Sequence, residues 1–264
     1  MSEFRNEVLK RGIVASVGET TLWRWLAEDA IRPWTHRSWI FPRDPDFKVK
    51  AGRVLDLYEG FWKGKPLQAA DCVLSADEKT GIQAIQRCHP IVPPAQGRPA
   101  LVEHEYRRKG TIAYLAAWDV RRGKVYGRCE ATVGIAPFER LVEQVMDQDP
   151  YCNAPRVFWI LDNGTSHRGQ RCVERLQQRW PNLIVVHLPK HASWLNQVEI
   201  YFSVVQRKVL TPSDFSSCHE LENRLLRFQE HYQQAARPFE WKFTRRDLAQ
   251  LFRRLESSPM RLVA

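Results

Sequence analysis

Between residues 70 and 210, short apolar segments of strand length alternate with amphipathic segments of helical length. The segments RVFWIL (156–161) and LIVVHL (183–188) are typical of buried strands. We predict strands at 70–77, 111–120, 124–132, 156–161 and 183–188, and helices at 137–146, 167–180 and 194–210. Because the later strands and helices alternate, we expect an α/β domain in which helices pack on a central mixed sheet.

Helical segments also flank this region. Asp44 and Pro45 form a typical helix start, and apolar residues follow at helical spacing from Phe47 to Trp62. Residues 30–43 combine cations, aromatic residues and prolines without a period, which indicates an extended linker. Near the carboxyl end, we predict helices at 218–236 and 244–256.

Composition limits the class of protein. The chain has 264 residues, of which 44% are apolar, enough to form a folded core. Its apolar runs fall short of the roughly 20 residues that span a bilayer. The amino-terminal MSEFRNEVLKRG lacks the apolar segment of a signal peptide. None of the six cysteines forms a CxxC pair, so we expect reduced thiols in a cytoplasmic protein without a membrane partner.

The formal net charge of +10 favours an anionic partner, with nucleic acid as the leading candidate. Residues 151–210 contain eight Lys and Arg side chains against three acids, which is half of the net excess. Those three acids are Asp162, Glu174 and Glu199. Because acids are rare in so basic a segment, each is a candidate for a functional role.

Three carboxylates lie next to the predicted strands. Asp77 ends the first strand, Asp162 directly follows 156–161, and Glu199 lies on the helix after the last strand. In open α/β sheets, functional groups gather beyond the carboxyl ends of strands. Clustered carboxylates repel one another unless a cation compensates, and such oxygen ligands suit Mg²⁺. Two such ions can hold the attacking and leaving oxygens of a phosphoryl transfer.

Each acid also has an ordinary structural explanation. Asp162 begins an Asp-Asn-Gly turn, and Asp77 is compatible with a solvated strand end. Glu199 borders the buried stripe of its helix, as many exposed acids do. The pattern alone therefore leaves both a metal site and three surface acids open.

Three sequence strings around these acids resemble one family. They are VLSADEKTGIQA (73–84), FWILDNGTSH (158–167) and HLPKHASWLNQVEIYFS (187–203). Their order and spacing are similar to those of the transposase and integrase superfamily that uses an Asp-Asp-Glu triad. More narrowly, they resemble bacterial insertion-sequence transposases related to mariner elements. The resemblance covers about residues 16–235.

This resemblance implies a ribonuclease-H-like, mixed five-stranded sheet flanked by helices. Asp77, Asp162 and Glu199 would be the catalytic residues and the ligands of two Mg²⁺ ions, for which Mn²⁺ can substitute. The implied reaction is cleavage of double-stranded DNA at the element's terminal repeats, followed by transfer of the 3′-hydroxyl end to target DNA. The implied assembly is a homodimer in a paired-end complex, associated with the nucleoid.

Five further residues are candidate DNA contacts. Residues 16–31 resemble only the last recognition helix of the family's DNA-binding region, and Arg24 lies on it. The others lie beside the acids in sequence and are Lys79, His167, Lys190 and Asn196. Each is also compatible with a local structural role or a solvated side chain.

We therefore divide the chain into a partial helix-turn-helix with its linker (1–68), a catalytic domain (69–235) and a helical tail (236–264). Since only one recognition helix is seen, we expect a curtailed DNA-binding part. Two alternatives to a transposase remain open here. One is a ribonuclease-H-like nuclease that cuts without joining strands, and the other is a DNA-binding remnant without catalysis.

Overall fold

The computed structural model describes residues 2–28, 42–164 and 170–257. The chain forms two compact units, residues 1–41 and residues 42–264. In the described ranges, no helix is long and apolar enough to cross a membrane. The predicted domain boundaries after residues 68 and 235 stay predictions.

The first unit is a pair of short helices, α1 (Ser2–Lys10) and α2 (Glu19–Glu28). They pack through the small core of Val8, Val17 and Leu22. Two tryptophans of α2 remain in solvent, with 51% of Trp23 and 45% of Trp25 exposed. So small a core leaves most of the α2 surface open to a partner.

The second unit is built on a five-stranded sheet. It begins with α3 (Phe47–Tyr58) and a small hairpin of β1 (Phe61–Trp62) and β2 (Lys65–Pro66). The strands of the sheet are β3 (Cys72–Arg87), β4 (Tyr106–Asp119), β5 (Lys124–Glu130), β6 (Val157–Leu161) and β7 (Leu183–His187). Their spatial order is β5-β4-β3-β6-β7. The β3, β4 and β5 strands are antiparallel neighbours, whereas β6 and β7 run parallel to β3, so the predicted mixed sheet is confirmed.

Helices cover both faces of this sheet. They are α4 (Ile135–Met146), α5 (Gln170–Arg179), α6 (Val198–Lys208), α7 (Cys218–Ala235) and α8 (Arg245–Ser257). One core layer lies between the sheet and α3, α6, α7 and α8, and the other lies between the sheet and α4 and α5. Successive strand side chains point to opposite faces. Val73, Phe158 and Ile160 accordingly lie in the first layer, and Leu74 and Trp159 in the second.

The first strand is longer than predicted. β3 continues to Arg87 because its outer half pairs with β4, and there Ile82 and Ala84 are buried between exposed neighbours. The polar string DEKTG (77–81) lies at an irregularity in the ladder, where Gly81 takes a φ of +66°. Asp77 therefore lies within β3 and not at its end.

Two predicted helices begin later than expected. α3 starts at Phe47, after a turn in which the Asp46 N–H donates to the Asp44 carboxylate at 3.0 Å. The segment predicted from 194 begins with a single 3₁₀ turn (Ser193–Leu195), and α6 starts only at Val198. This break places Glu199 in the first turn of α6.

Candidate active site

Asp77 and Asp162 lie at equivalent points beyond the β3–β6 pairing. The last paired residues of these parallel strands are Ser75 and Ile160, and each aspartate comes two positions later. Since strand side chains alternate, both aspartates continue the face of the sheet on which α6 packs. The first turn of α6 contains Glu199. The three acids predicted from the sequence therefore approach one edge of the sheet from three elements.

The three carboxylates act on one another electrostatically. Burial raises the pKa of Asp77 to about 7, and the negative charge of Asp162 is the next largest cause, to which Glu199 adds. Burial also raises the pKa of Glu199, where the Lys79 ammonium opposes the rise and the charge of Asp162 adds to it. An electropositive ligand would relieve this repulsion.

The site has an open arrangement. Within the described residues, no three His, Cys, Asp or Glu side chains already lie close enough together to hold a metal ion. The turn after β6 is nevertheless fixed, because the Gly164 N–H donates to Asp162 Oδ1 at 2.7 Å. Asn163 Nδ2 also donates to the Leu188 carbonyl at 2.7 Å, which ties this turn to the end of β7.

Asn196 connects the start of α6 to β3. Its side chain is 1% exposed, and Nδ2 donates to the Ala76 carbonyl at 3.0 Å and to Asp77 Oδ2 at 3.3 Å. The Ser75 hydroxyl donates to Asn196 Oδ1 and accepts a hydrogen bond from the Val198 N–H at 2.9 Å. Because Asn196 is buried with these partners, we interpret it as orienting Asp77 and not as contacting DNA.

Sequence comparison assigns a family to this arrangement. The sequence profile described as DDE superfamily endonuclease matches residues 72–222, which is more than half of the chain and includes all three acids. The chain belongs to the DDE superfamily of endonucleases. No curated protein matches its sequence.

Solved structures of a mariner transposase share the fold of this DDE endonuclease. The Mos1 mariner paired-end complex with Mn is 15% identical, with a TM-score of 0.55 over 96% of this chain and 72% of that chain. The Mos1 transposase paired-end complex with the left transposon end is 14% identical, with a TM-score of 0.53 over 97% and 76%. The mariner Mos1 paired-end complex with Mg is 18% identical, with a TM-score of 0.52 over 95% and 75%. The ribonuclease-H-like fold is thereby confirmed.

Two predicted cations lie beside the acids of the DDE endonuclease. Lys79 lies in β3 two residues after Asp77, and its ammonium acts on Glu199. Lys190 is exposed on the loop after β7, which lines an open cleft together with Asp162. The Lys190 N–H donates to the Asp44 carboxylate at 2.9 Å, so this loop is anchored to the chain ahead of α3.

The other two predicted DNA contacts lie elsewhere. Arg24 is exposed on α2 in the first unit of the DDE endonuclease. His167 lies outside the described residues, between β6 and α5.

Two residues outside the predicted set support this DDE site. Ser75 is a polar residue in the apolar string VLSA, on the same face of β3 as Asp77, and this parity is a usable signal. Tyr58 donates its hydroxyl to the Leu195 carbonyl at 2.8 Å. No local pattern could have identified that contact, because 137 positions separate the two residues.

Proposed function

We propose that this DDE endonuclease is a transposase that cuts double-stranded DNA at the terminal repeats of an insertion sequence and joins the 3′ ends to target DNA. The observation that carries the proposal is the approach of Asp77, Asp162 and Glu199 to one edge of the sheet from β3, the end of β6 and the first turn of α6. Each of these acids lies in one of the three strings that resemble the transposase family. A strongly perturbed carboxylate beside like charges is typical of a functional site.

The donor set fits divalent cations. Asp77, Asp162 and Glu199 offer carboxylate oxygens, the ligands that suit Mg²⁺ and Mn²⁺. Burial and the neighbouring carboxylates raise the pKa of Asp77 to about 7, so the site favours compensation by positive charge. These three side chains would hold two Mg²⁺ ions, with Mn²⁺ as a substitute. When bound, such ions activate the attacking oxygen and stabilise the leaving oxygen of a phosphodiester.

The protein's own residues position and surround the reacting groups. Asn196 and Ser75 hold Asp77 in register with the start of α6. Lys79 beside Glu199 and Lys190 on the wall of the Asp162 cleft supply positive charge where the phosphodiester would lie. Because positioning and charge do this work, the reaction needs no covalent bond between protein and DNA.

The proposed partners are double-stranded DNA and a second copy of the chain. The net charge of +10 suits a phosphate backbone, and Arg24 on exposed α2 is the proposed contact of the first unit. The solved complexes of similar fold are paired-end complexes of Mos1, which supports a dimer that holds two element ends.

The test is an assay on DNA duplexes that carry the inverted repeats flanking the gene, with a supercoiled plasmid as target and Mg²⁺ or Mn²⁺ present. We expect cut ends and joined strands from the wild type, and neither from Asp77→Asn, Asp162→Asn or Glu199→Gln. The control is Asp147→Asn, which changes an exposed acid after α4 and should retain activity.

The products distinguish the alternatives. Cut DNA without joined strands would favour a nuclease over a transposase. Wild-type activity in all three triad variants would contradict the site itself. DNA binding by the wild type without any cutting would favour the non-catalytic alternative.

A further inference from the structure

The four residues 194–197, here called the active-site turn, are connected to two of the three proposed metal ligands, Asp77 and Glu199. Asn196 Nδ2 donates to Asp77 Oδ2 at 3.3 Å. The Glu199 N–H donates to the Asn196 carbonyl at 3.1 Å, so the turn leads directly into the first turn of α6. A displacement of this turn would therefore move both Asp77 and Glu199.

Tyr58 holds the active-site turn through one hydroxyl. It donates to the Leu195 carbonyl at 2.8 Å and accepts from the Gln197 N–H at 3.3 Å, and thus bonds on both sides of Asn196. Burial raises the pKa of Tyr58 above its ordinary value, which keeps the hydroxyl protonated and able to donate. Tyr58 is the last residue of α3 and precedes residue 72, where the family match begins.

The chain after α7 supports both Tyr58 and the turn. Trp241 packs edge-on against Tyr58 with ring centroids 5.1 Å apart, and Phe243 packs against Trp194 at 5.0 Å. Trp241 Nε1 donates to the Phe243 carbonyl at 2.8 Å, which fixes the backbone that carries both rings. These residues follow position 222, where the family match ends.

Arg245, the first residue of α8, anchors that helix on α3. Arg245 makes two hydrogen bonds to Asp56, from Nε to Oδ1 at 2.7 Å and from Nη2 to Oδ2 at 2.5 Å. Its guanidinium lies over Gly52, where any Cβ would overlap it. Glycine weakens a helix interior, so its presence here is explained by the space that Arg245 occupies.

Local backbone hydrogen bonds also hold the active-site turn, from the Leu195 N–H to the Ala192 carbonyl at 3.0 Å and from the Asn196 N–H to the Ser193 carbonyl at 2.7 Å. Trp194 Nε1 and Gln197 Oε1 are buried without a hydrogen-bond partner among the residues that the structure describes. Neither of these two atoms therefore contributes a hydrogen bond that fixes the turn. The hydrogen bonds that tie the turn to α3 are those of Tyr58 at Leu195 and Gln197, and Ser75 of β3 bonds to Asn196 and Val198.

We propose that α3 and residues 241–245 form a clamp that positions Asp77 and Glu199 for metal binding, with Tyr58 as its point of action. The clamp lies outside the matched endonuclease region on both sides. Tyr58 contacts the active-site turn, and acts on the metal ligands only through Asn196 and the start of α6. It is therefore a positioning residue, and this inference rests on the proposed function.

The experiment is a calorimetric titration of the full chain with Mn²⁺ in the absence of DNA. Tyr58→Phe removes only the hydroxyl and keeps the ring against Trp241. We expect its Mn²⁺ affinity to fall about tenfold, as is typical when support behind a metal ligand is lost. The matched control is Tyr151→Phe, because that buried hydroxyl donates to Asp119 Oδ2 at 2.7 Å, and Asp119 pairs with Leu74 near the amino end of β3, away from the active-site turn and α6. The control should bind Mn²⁺ like the wild type.

A second variant tests the other side of the clamp. Trp241→Leu keeps the Tyr58 hydroxyl but removes its support, so it should weaken Mn²⁺ binding by a smaller factor. Equal affinity of the wild type and folded Tyr58→Phe overturns the clamp and leaves the proposed function standing. Equal weakening by Tyr58→Phe and Tyr151→Phe also overturns it, since the effect would then be general. A wild type that binds no Mn²⁺ overturns the proposed metal site and the clamp with it.

Discussion

The two ends of the β3–β6 pair place carboxylates in opposite electrostatic settings. At the amino ends, Asp71 precedes β3 and Arg156 precedes β6, and Arg156 donates from Nε and Nη2 to the Asp71 carboxylate at 3.0 and 2.5 Å. At the other ends, Asp77 and Asp162 each follow the last paired residue by two positions. One end therefore pairs opposite charges, and the other brings like charges together.

The pKa values of Asp71 and Asp77 are shifted in opposite directions, as these two settings predict. Burial acts to raise the pKa of Asp71, but the hydrogen bonds and charge of Arg156, with the Gln68 N–H, outweigh it and lower that pKa below its ordinary value. Burial raises the pKa of Asp77 to about 7, and Asp162 adds to the rise. A carboxylate that is paired with a cationic side chain of the same protein has a structural role. A carboxylate that lies beside other carboxylates indicates a ligand-binding site.

The largest expected effect separates the two ends by activity. Asp77→Asn should lower the DNA cleavage rate about a thousandfold or more, because it removes a group that acts on the reacting phosphodiester. Asp71→Asn should leave the rate per folded molecule unchanged. The measurement is the single-turnover cleavage rate, normalised to the folded fraction by circular dichroism. An equal loss of cleavage rate in both variants would contradict the proposed difference between the two ends.

The loss of stability should be larger in Asp71→Asn than in Asp77→Asn, which is the opposite of the order expected for activity. Asp71→Asn leaves Arg156 without its counter-charge, and we expect the free energy of unfolding to fall by about 2 kcal/mol. This is less than for a fully buried pair because the Arg156 side chain keeps 32% of its surface exposed. Urea unfolding of the metal-free variants measures it. A larger loss for Asp77→Asn than for Asp71→Asn would contradict the assignment of the two ends.

The pH dependence of that stability has opposite signs at the two ends. Between pH about 4 and 7, folded Asp77 retains a proton that the unfolded chain has released, so its contribution to stability falls as the pH rises. The contribution of Asp71 is present above its ordinary pKa of 3.8 and is lost as the pH falls through its lowered folded value.

Asp77→Asn removes the first effect. The variant should match the wild type near pH 3.5, below the ordinary pKa of 3.8, and exceed it by about 1–2 kcal/mol at pH 8, a value reduced for the partial exposure of the site. Urea unfolding at both pH values, without metal, is the measurement. A difference that does not change with pH would show that Asp77 is not the perturbed group.

Divalent ions should stabilise the folded protein by binding only at the end of the β3–β6 pair where the like charges lie. At ten times its dissociation constant, Mg²⁺ should add about 1.4 kcal/mol to the free energy of unfolding. The gain should be larger at pH 8 than at pH 6, because binding competes with the proton on Asp77. Thermal unfolding with Mg²⁺, and with Na⁺ at equal ionic strength as the control, measures it. The same gain in Asp77→Asn would place the ion elsewhere.

Much of the fold is readable from local pattern. β6, β7 and α4 lie within two residues of their predicted bounds, because each is a short apolar run or a clear amphipathic period. The outer half of β3 and the break before α6 differ from the prediction. Both depend on partners that are distant in sequence, namely β4 for the strand and Tyr58 for the turn.

The candidate site divides in the same way. The three acids are identifiable because each lies in a family string, and their approach to one edge follows from strand parity. Ser75 and Asn196, which support Asp77, also have signals in the sequence, whereas contacts between residues far apart in the chain do not. Arg156 lies 85 positions from Asp71, and Trp241 reaches Tyr58 from beyond the matched region. Sequence pattern therefore identifies the reactive acids better than the residues that hold them in position.

The smallest expected effect concerns the backbone at the end with like charges. His191, on the wall of the Asp162 cleft, has a φ of +58°, a left-handed conformation that is unfavourable for a side chain with a Cβ. His191→Gly removes that strain but adds freedom to the unfolded chain, so we expect a net gain of about 0.5 kcal/mol. It should also slow cleavage slightly if the side chain helps to shape the Asp162 cleft, which His191 lines.

Lys63→Gly is the matched control. Lys63 has a φ of +50° between β1 and β2, so its replacement should stabilise the protein equally and leave cleavage unchanged. Urea unfolding and single-turnover cleavage measure both variants. If His191→Gly is more stable and equally active, the strain at this loop serves no purpose in the reaction, and the contrast between the two ends is confined to their charges.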